Sequence, residues 1–179
     1  MRTHSFSCTV AALAVLAAGC SSAAPSASED AVAWTNQVCA ALTGFTRAAT
    51  TSPRIDPADR SAAVREVSRY LGSTSEELQR SLTALDAVGP SPVEGGDEYV
   101  GRLGEALRGI RTGYESARTQ LAAVDVSDPA ALATAVAPLQ DLRNLPDPTE
   151  GMGTSEQLRA ASEQAENCRE LSSSSPTTG

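Results

Sequence analysis

Apolar residues recur at every third or fourth position through most of the chain, the spacing that places side chains along one face of an α-helix. Two long runs of this kind flank the stretch VGPSPVEGGDEY, whose glycines and prolines do not continue a helix. Two long helices joined by so short a connection are expected to lie antiparallel. The first run is Val64, Val67, Leu71, Leu78, Leu82, Leu85 and Val88, and the second is Val100, Leu103, Leu107, Ile110, Tyr114, Ala117, Leu121 and Val124.

Helix-capping residues set the expected boundaries. Asp56 followed by Pro57 marks the start of the first long helix, and Asp97 can cap the second. A shorter helix is predicted over residues 30–49. The candidate caps of the later helices are Ser127 or Asp128 before Pro129, and Thr154 in a capping box with Gln157. We therefore expect an all-α, antiparallel up-down bundle of about four helical layers over residues 30–171, with the last layer broken in two.

The composition agrees with closely packed helices. Hydrophobic residues make up 41% of the chain but aromatic residues only 3%, so the core is built from alanine, leucine and valine rather than from the β-branched and aromatic residues that sheets favour. The formal net charge is −8, and no basic patch is interleaved with aromatic residues. Such a surface repels nucleic acid, and we expect no nucleic-acid partner.

The start of the chain is typical of an exported protein. Arg2 supplies a positive charge, and residues 8–18 form an apolar run that is too short to span a bilayer. The sequence LAAGC, which ends at Cys20, resembles a bacterial lipobox, although Ala17 stands where leucine is usual. The resemblance implies that residues 1–19 are a signal peptide and that Cys20 becomes a lipidated N-terminus with two acyl chains. The alternative is plain secretion, with Cys20 removed or left as a free thiol.

Low-complexity segments flank the predicted bundle. Residues 20–29 contain the predicted lipidation site followed mainly by small residues and proline, and residues 172–179 read SSSSPTTG. Segments of this composition do not bury enough apolar surface to fold. We therefore expect a flexible stalk before the bundle and a disordered tail after it.

The residue types that many enzymes need are missing after the predicted leader. The single histidine is His4, inside the leader; lysine is absent, and Met152 is the only later methionine. Catalysis by Ser-His-Asp or Cys-His groups, a lysine nucleophile, and His-based zinc, haem or copper sites are therefore excluded. We expect a protein that is not an enzyme and has no catalytic residues, no metal site and no cofactor.

Cys39 and Cys168 lie near the two ends of the helical region. Two cysteines in an exported protein usually pair, and a bridge between the first and last helices would close a very long loop. We therefore predict a Cys39–Cys168 disulfide. A reactive thiol is the alternative, although no histidine or lysine is present to activate it.

Acidic residues cluster at two turns. Glu94, Asp97 and Glu98 flank the turn between the long helices, and Asp147 and Glu150 flank a later one. We interpret these residues as capping and solubilising groups. The alternatives are a Ca²⁺ site or the paired carboxylates of a glycosidase.

Two glycines flank the apolar seam of the second long helix. Gly104 and Gly113 each cost roughly 1 kcal/mol in a helix interior, so their presence needs a reason. They allow either the close approach of another helix or an interaction groove for a ligand or partner.

Taken together, these features resemble the small exported lipoproteins of actinobacteria. The residues that carry the resemblance are Gly19 and Cys20, Trp34 with Cys39, the Gly-Pro…Gly-Gly-Asp turn at 89–97, and Cys168. The resemblance implies attachment to the extracytoplasmic face of the cell membrane through Cys20, and supplies no catalytic residues. We expect a non-catalytic interaction or scaffold module that binds another envelope protein along a helix groove. The alternative is a carrier that holds a small apolar ligand between its helices.

Overall fold

The computed structural model describes residues 27–56, 58–128, 130–134 and 155–174, and in these residues the fold is all-α, as predicted. Helices α2 and α3 form the expected hairpin, α1 packs on α2, and α4 and α5 pack on α1. Residues 130–134 are also helical. The helices are α1 (Glu29–Thr50), α2 (Arg60–Asp86), α3 (Gly96–Ala123), α4 (Glu156–Gln164) and α5 (Glu166–Ser174).

The predicted seams form the core. Their central residues, among them Leu78 and Leu107, are fully buried and pack with apolar residues of α1, α4 and α5 in one large cluster. A second, smaller cluster of Leu71, Ala117 and Leu121 lies towards the start of α2 and the end of α3. The apolar spacing of the sequence therefore identified the buried face of both long helices.

Two helix starts differ from the prediction. Helix α2 is capped by Asp59, whose Oδ1 accepts a hydrogen bond from the backbone nitrogen of Ala62 at 2.8 Å. The predicted cap, Asp56, instead accepts from the nitrogen of Ala58 at 2.9 Å in the turn before the helix. Each aspartate accepts a hydrogen bond from a backbone nitrogen a few residues downstream, and the prediction assigned the cap to Asp56 instead of Asp59.

Helix α3 begins without a side-chain cap. Its N-cap is Gly95, which has a φ of 77° in the left-handed region that glycine tolerates. Asp97 lies in the first turn, and its Oδ1 accepts from the backbone nitrogen of Ser91 at 2.7 Å. The prediction that Asp97 caps α3 was wrong, because the carboxylate closes the preceding turn instead.

The later boundaries are partly as predicted. Asp128 accepts hydrogen bonds from the backbone nitrogens of Ala130 and Ala131, as expected of a cap. The cap of α4 is Ser155, one residue beyond the predicted Thr154, which lies outside the described residues. The predicted last helix bends at Ala165, which has an extended backbone and separates α4 from α5.

Helical structure includes the inner ends of both segments that the sequence predicts to be flexible. Helix α1 begins at Glu29, with Ser28 Oγ accepting from the nitrogen of Ala31 at 3.2 Å, so the predicted stalk enters the fold. Helix α5 continues to Ser174, inside the predicted tail. Residues 20–26 and 175–179 lie outside the described residues. In the part of the chain that the structure describes, no helix combines the length and the apolar character needed to cross a bilayer.

Candidate functional site

A disulfide joins the first helix of the bundle to the last. Cys39 in α1 and Cys168 in α5 are bonded across a sequence separation of 129 residues, with their Cα atoms 5.1 Å apart. Both residues are buried, with exposed fractions of 1% and 5%. The predicted pairing is confirmed, and neither sulfur is a free thiol. Because solvent does not reach the bridge, we treat it as part of the core.

The start of α5 is capped from a different helix. Asn36 Oδ1 in α1 accepts a hydrogen bond from the backbone nitrogen of Asn167 at 2.9 Å, and Asn167 Nδ2 donates to the carbonyl oxygen of Asn36 at 3.4 Å. Ala165, which precedes α5, has no side-chain acceptor for the free N–H groups of the first turn. Sequence reasoning missed this contact because a cap was sought only among neighbouring residues.

A surface cleft of about 360 Å³ lies beside this junction. Two carboxylates at the cleft, Glu29 and Glu166, belong to the first turns of α1 and α5, where acidic side chains complement the helix dipole. The position of these two glutamates at the helix starts therefore explains the negative charge of this cleft, which we call the junction cleft. Its lining consists of Ala27, Glu29, Val32, Ala33, Asn36, Gln164, Ala165 and Glu166.

A second cleft, of about 300 Å³, lies at the other end of α1, and we call it the tip cleft. Tyr70 Oη donates to the carbonyl oxygen of Ala49 at 3.2 Å, and Thr51 Oγ1 donates to that of Arg47 at 2.9 Å. The first bond ties the last turn of α1 to α2, and the second closes the end of α1 itself. The lining consists of Thr51, Ser52, Pro53, Arg54, Glu66, Arg69, Tyr70 and Ser73.

The tip cleft contains one cation without a charged partner. Arg69 forms an ion pair with Glu66, whereas Arg54 takes part in no ion pair with any residue that the structure describes. The sequence reasoning missed this site. The signal that could have revealed it is the local density of arginine: residues 47–69 contain five of the 14 basic residues but three of the 22 acidic ones.

Tyr114 lies next to Tyr70, behind the wall of the tip cleft. Burial raises the pKa of the Tyr114 hydroxyl well above its ordinary value of 10.0, and the charge and hydrogen bond of Tyr70 act in the same direction. The tyrosine pair belongs with the half-buried residues around the smaller apolar cluster. We assign it a packing role.

Trp34 connects α1 to the turn between α2 and α3. Its ring is buried, with an exposed fraction of 6%, and its Nε1 donates to the carbonyl oxygen of Gly89 at 3.2 Å. A Cβ at Gly96 would overlap Ser91 Oγ and lie 3.1 Å from Trp34 Cη2. The turn therefore requires glycine where the tryptophan packs against it.

The acidic residues of this turn have structural partners or face solvent. Asp97 holds the turn as described above, Glu98 forms an ion pair with Arg102 at 2.7 Å, and Glu94 is exposed. Among the described residues, no group of three or more histidine, cysteine, aspartate or glutamate side chains could hold a metal ion. The second acidic pair, Asp147 and Glu150, lies outside the described residues.

Gly104 and Gly113 line neither of the two clefts described above. Gly104 is buried, and a Cβ there would meet the guanidinium group of Arg108, one turn further along the same helix, at 3.3 Å. Gly113 is half-buried. An interaction groove at these two glycines therefore stays a prediction.

Cys20, the predicted lipidation site, lies outside the described residues. No protein-family model, curated protein or solved structure matches the chain.

Proposed function

We propose that this protein is a lipid-anchored, non-catalytic interaction module on the extracytoplasmic face of the cell membrane. The observation that carries the proposal is the buried Cys39–Cys168 disulfide. Structural disulfides form and persist in oxidising compartments outside the cytosol. This agrees with the LAAGC sequence at Cys20, which resembles a lipobox and predicts export followed by acylation.

The available chemistry favours binding over catalysis. The chain after the predicted leader offers arginines, carboxylates and hydroxyls, and no histidine or lysine. A helical bundle whose core is closed by a disulfide is a rigid support on which surface residues are held in fixed positions. A module of this kind presents a binding surface whose residues keep fixed positions relative to one another.

The anchor is tested with a Cys20→Ser variant, using Ser21→Ala as the matched control. Fractionation of cells that express each form is expected to place the wild type and the control in the membrane and to release the Cys20→Ser protein. Mass spectrometry of the mature N-terminus should show a diacylglyceryl group on Cys20. An unchanged distribution of the Cys20→Ser protein would contradict the anchor.

The interaction role is tested by chemical crosslinking in intact cells, with the released Cys20→Ser form as the comparison. A discrete complex that contains one envelope protein is expected for the anchored form. Recovery of the protein without any crosslinked partner would contradict the proposal. A small apolar compound in organic extracts of the purified protein would instead favour the carrier alternative.

A further inference from the structure

The tip cleft differs in charge from the rest of the chain. The protein as a whole is acidic, with 22 aspartates and glutamates against 14 basic residues, but residues 47–69 have a local excess of arginine. Within the described residues, Arg47, Arg54, Arg60 and Arg65 form no ion pair. Arg54 and Arg69 line the cleft itself, and because Arg69 is paired with Glu66, Arg54 carries the positive charge of the cleft that no described carboxylate neutralises in an ion pair.

An exposed aliphatic residue stands beside these arginines. Ile55 follows directly after the cleft residue Arg54, and it has an exposed fraction of 51%. It is the one large hydrophobic residue that is exposed among those the structure describes. A cleft, an uncompensated cation and an apolar side chain therefore meet at one end of the molecule.

We propose that the tip cleft and Ile55 bind an acidic segment of a partner protein. A carboxylate of the segment pairs with Arg54, whose guanidinium forms no ion pair with any described residue, while Glu66 remains paired with Arg69. An apolar side chain of the segment packs against Ile55 and Pro53. The proposal names the surface and the partner chemistry of the interaction module proposed above, and rests on it.

The position of the tip favours a protein partner over the membrane. Helix α1 has 22 residues and separates the tip from the start of the fold by about 33 Å. The chain from Cys20 to Ala27 spans at most about 28 Å when fully extended. If Cys20 is anchored and α1 stands upright, the tip points away from the bilayer.

The test measures the binding of two short fluorescein-labelled peptides by fluorescence anisotropy. In one peptide aspartate and leucine alternate, and in the other lysine replaces aspartate. The full chain with Cys20→Ser is used throughout, so that acylation does not contribute to binding. We compare it with the same chain carrying Arg54→Glu or Ile55→Ser, and with Arg102→Glu as a control that has the same net charge as Arg54→Glu.

The aspartate peptide is expected to bind and the lysine peptide to fail. Arg54→Glu should weaken binding about 5-fold to 10-fold, because an attractive charge becomes repulsive, and Ile55→Ser should weaken it roughly 3-fold. The Arg102→Glu control should bind like the parent. Binding should also decrease as salt is added.

Equal weakening by Arg54→Glu and Arg102→Glu would overturn the proposal, because it would show a response to net charge alone. Absence of peptide binding would also overturn it. Sedimentation with vesicles of phosphatidylglycerol and phosphatidylcholine provides the other comparison: binding to vesicles that depends on Arg54, without peptide binding, would assign the tip to lipid. Because every sample lacks the anchor, these results are independent of the membrane fractionation that tests the anchor.

Discussion

Replacing both bridge cysteines by alanine (C39A/C168A) is expected to lower the free energy of unfolding by about 5 kcal/mol. The bridge spans 129 residues, and the chain-entropy model gives about 5 kcal/mol for a loop of that length, because the cross-link removes conformations from the unfolded chain. Typical domains are stable by about 5–15 kcal/mol in total. Removing the bridge from a domain in this range leaves about 0–10 kcal/mol, so the double variant is expected to stay folded unless the parent lies at the low end.

The loss of stability is expected to be uneven along the chain. Helices α4 and α5 are short, and their main contacts with the other described helices are those with α1. Besides the disulfide, the polar contact between Asn36 and Asn167 holds α5 on α1. Hydrogen exchange of the backbone amides should therefore accelerate more in α4 and α5 than in the α2–α3 hairpin.

Urea unfolding followed by circular dichroism measures the change, with Val38→Ala as a control. Val38 is fully buried, so its truncation lowers the free energy of unfolding without changing the expansion of the unfolded chain. Loss of the cross-link should also make the free energy of unfolding fall more steeply with urea concentration, since the unfolded state without the bridge exposes more surface. A decrease in stability below about 1 kcal/mol, or amide exchange that accelerates equally in all helices, would refute the reasoning.

Three further predictions concern other parts of the fold. Gly96→Ala should destabilise the protein by about 1–3 kcal/mol in urea unfolding, because the added Cβ overlaps the turn. The control Gly101→Ala, which has open space around it, should be neutral or stabilising. Equal effects of the two substitutions would contradict this account. Asn36→Ala should cost about 1 kcal/mol and accelerate amide exchange at the start of α5, and normal protection there would argue against the cap. Since the pKa of Tyr114 is raised on folding, stability should fall as the pH rises above about 10, and Tyr114→Phe should reduce this fall; an unchanged pH profile in the variant would count against it.

The long helices were predictable because their signal is repeated many times. Each buried leucine of α2 or α3 is one of several at the same spacing, so an error at one position does not alter the helix face that is inferred. The disulfide was also predictable, since two cysteines in a helical domain that is predicted to be exported have few alternatives to pairing. Both inferences used information carried by residue type and sequence spacing.

The cap positions, the bend at Ala165 and the tip cleft were not predictable in the same way. Asp56 and Asp59 are equally good caps by residue type, and the choice between them depends on where the chain leaves α1. The hydrogen bond from the backbone of Asn167 to Asn36 joins positions that are 131 residues apart. The tip cleft needs the end of α1 to be held against Tyr70. Each of these features depends on tertiary contacts, about which local sequence carries no direct information.

The packing of Trp34 gives the protein a built-in optical reporter. The chain has a single tryptophan, and its indole is buried against the α2–α3 turn with its nitrogen bonded to Gly89. Its fluorescence therefore reports on that one contact, with no second indole to separate from it. In the C39A/C168A variant, detachment of α4 and α5 from an intact α1–α2–α3 core would be seen by amide exchange while the emission hardly changes. Comparing the two signals during unfolding of this variant would show whether α4 and α5 leave the core before it opens.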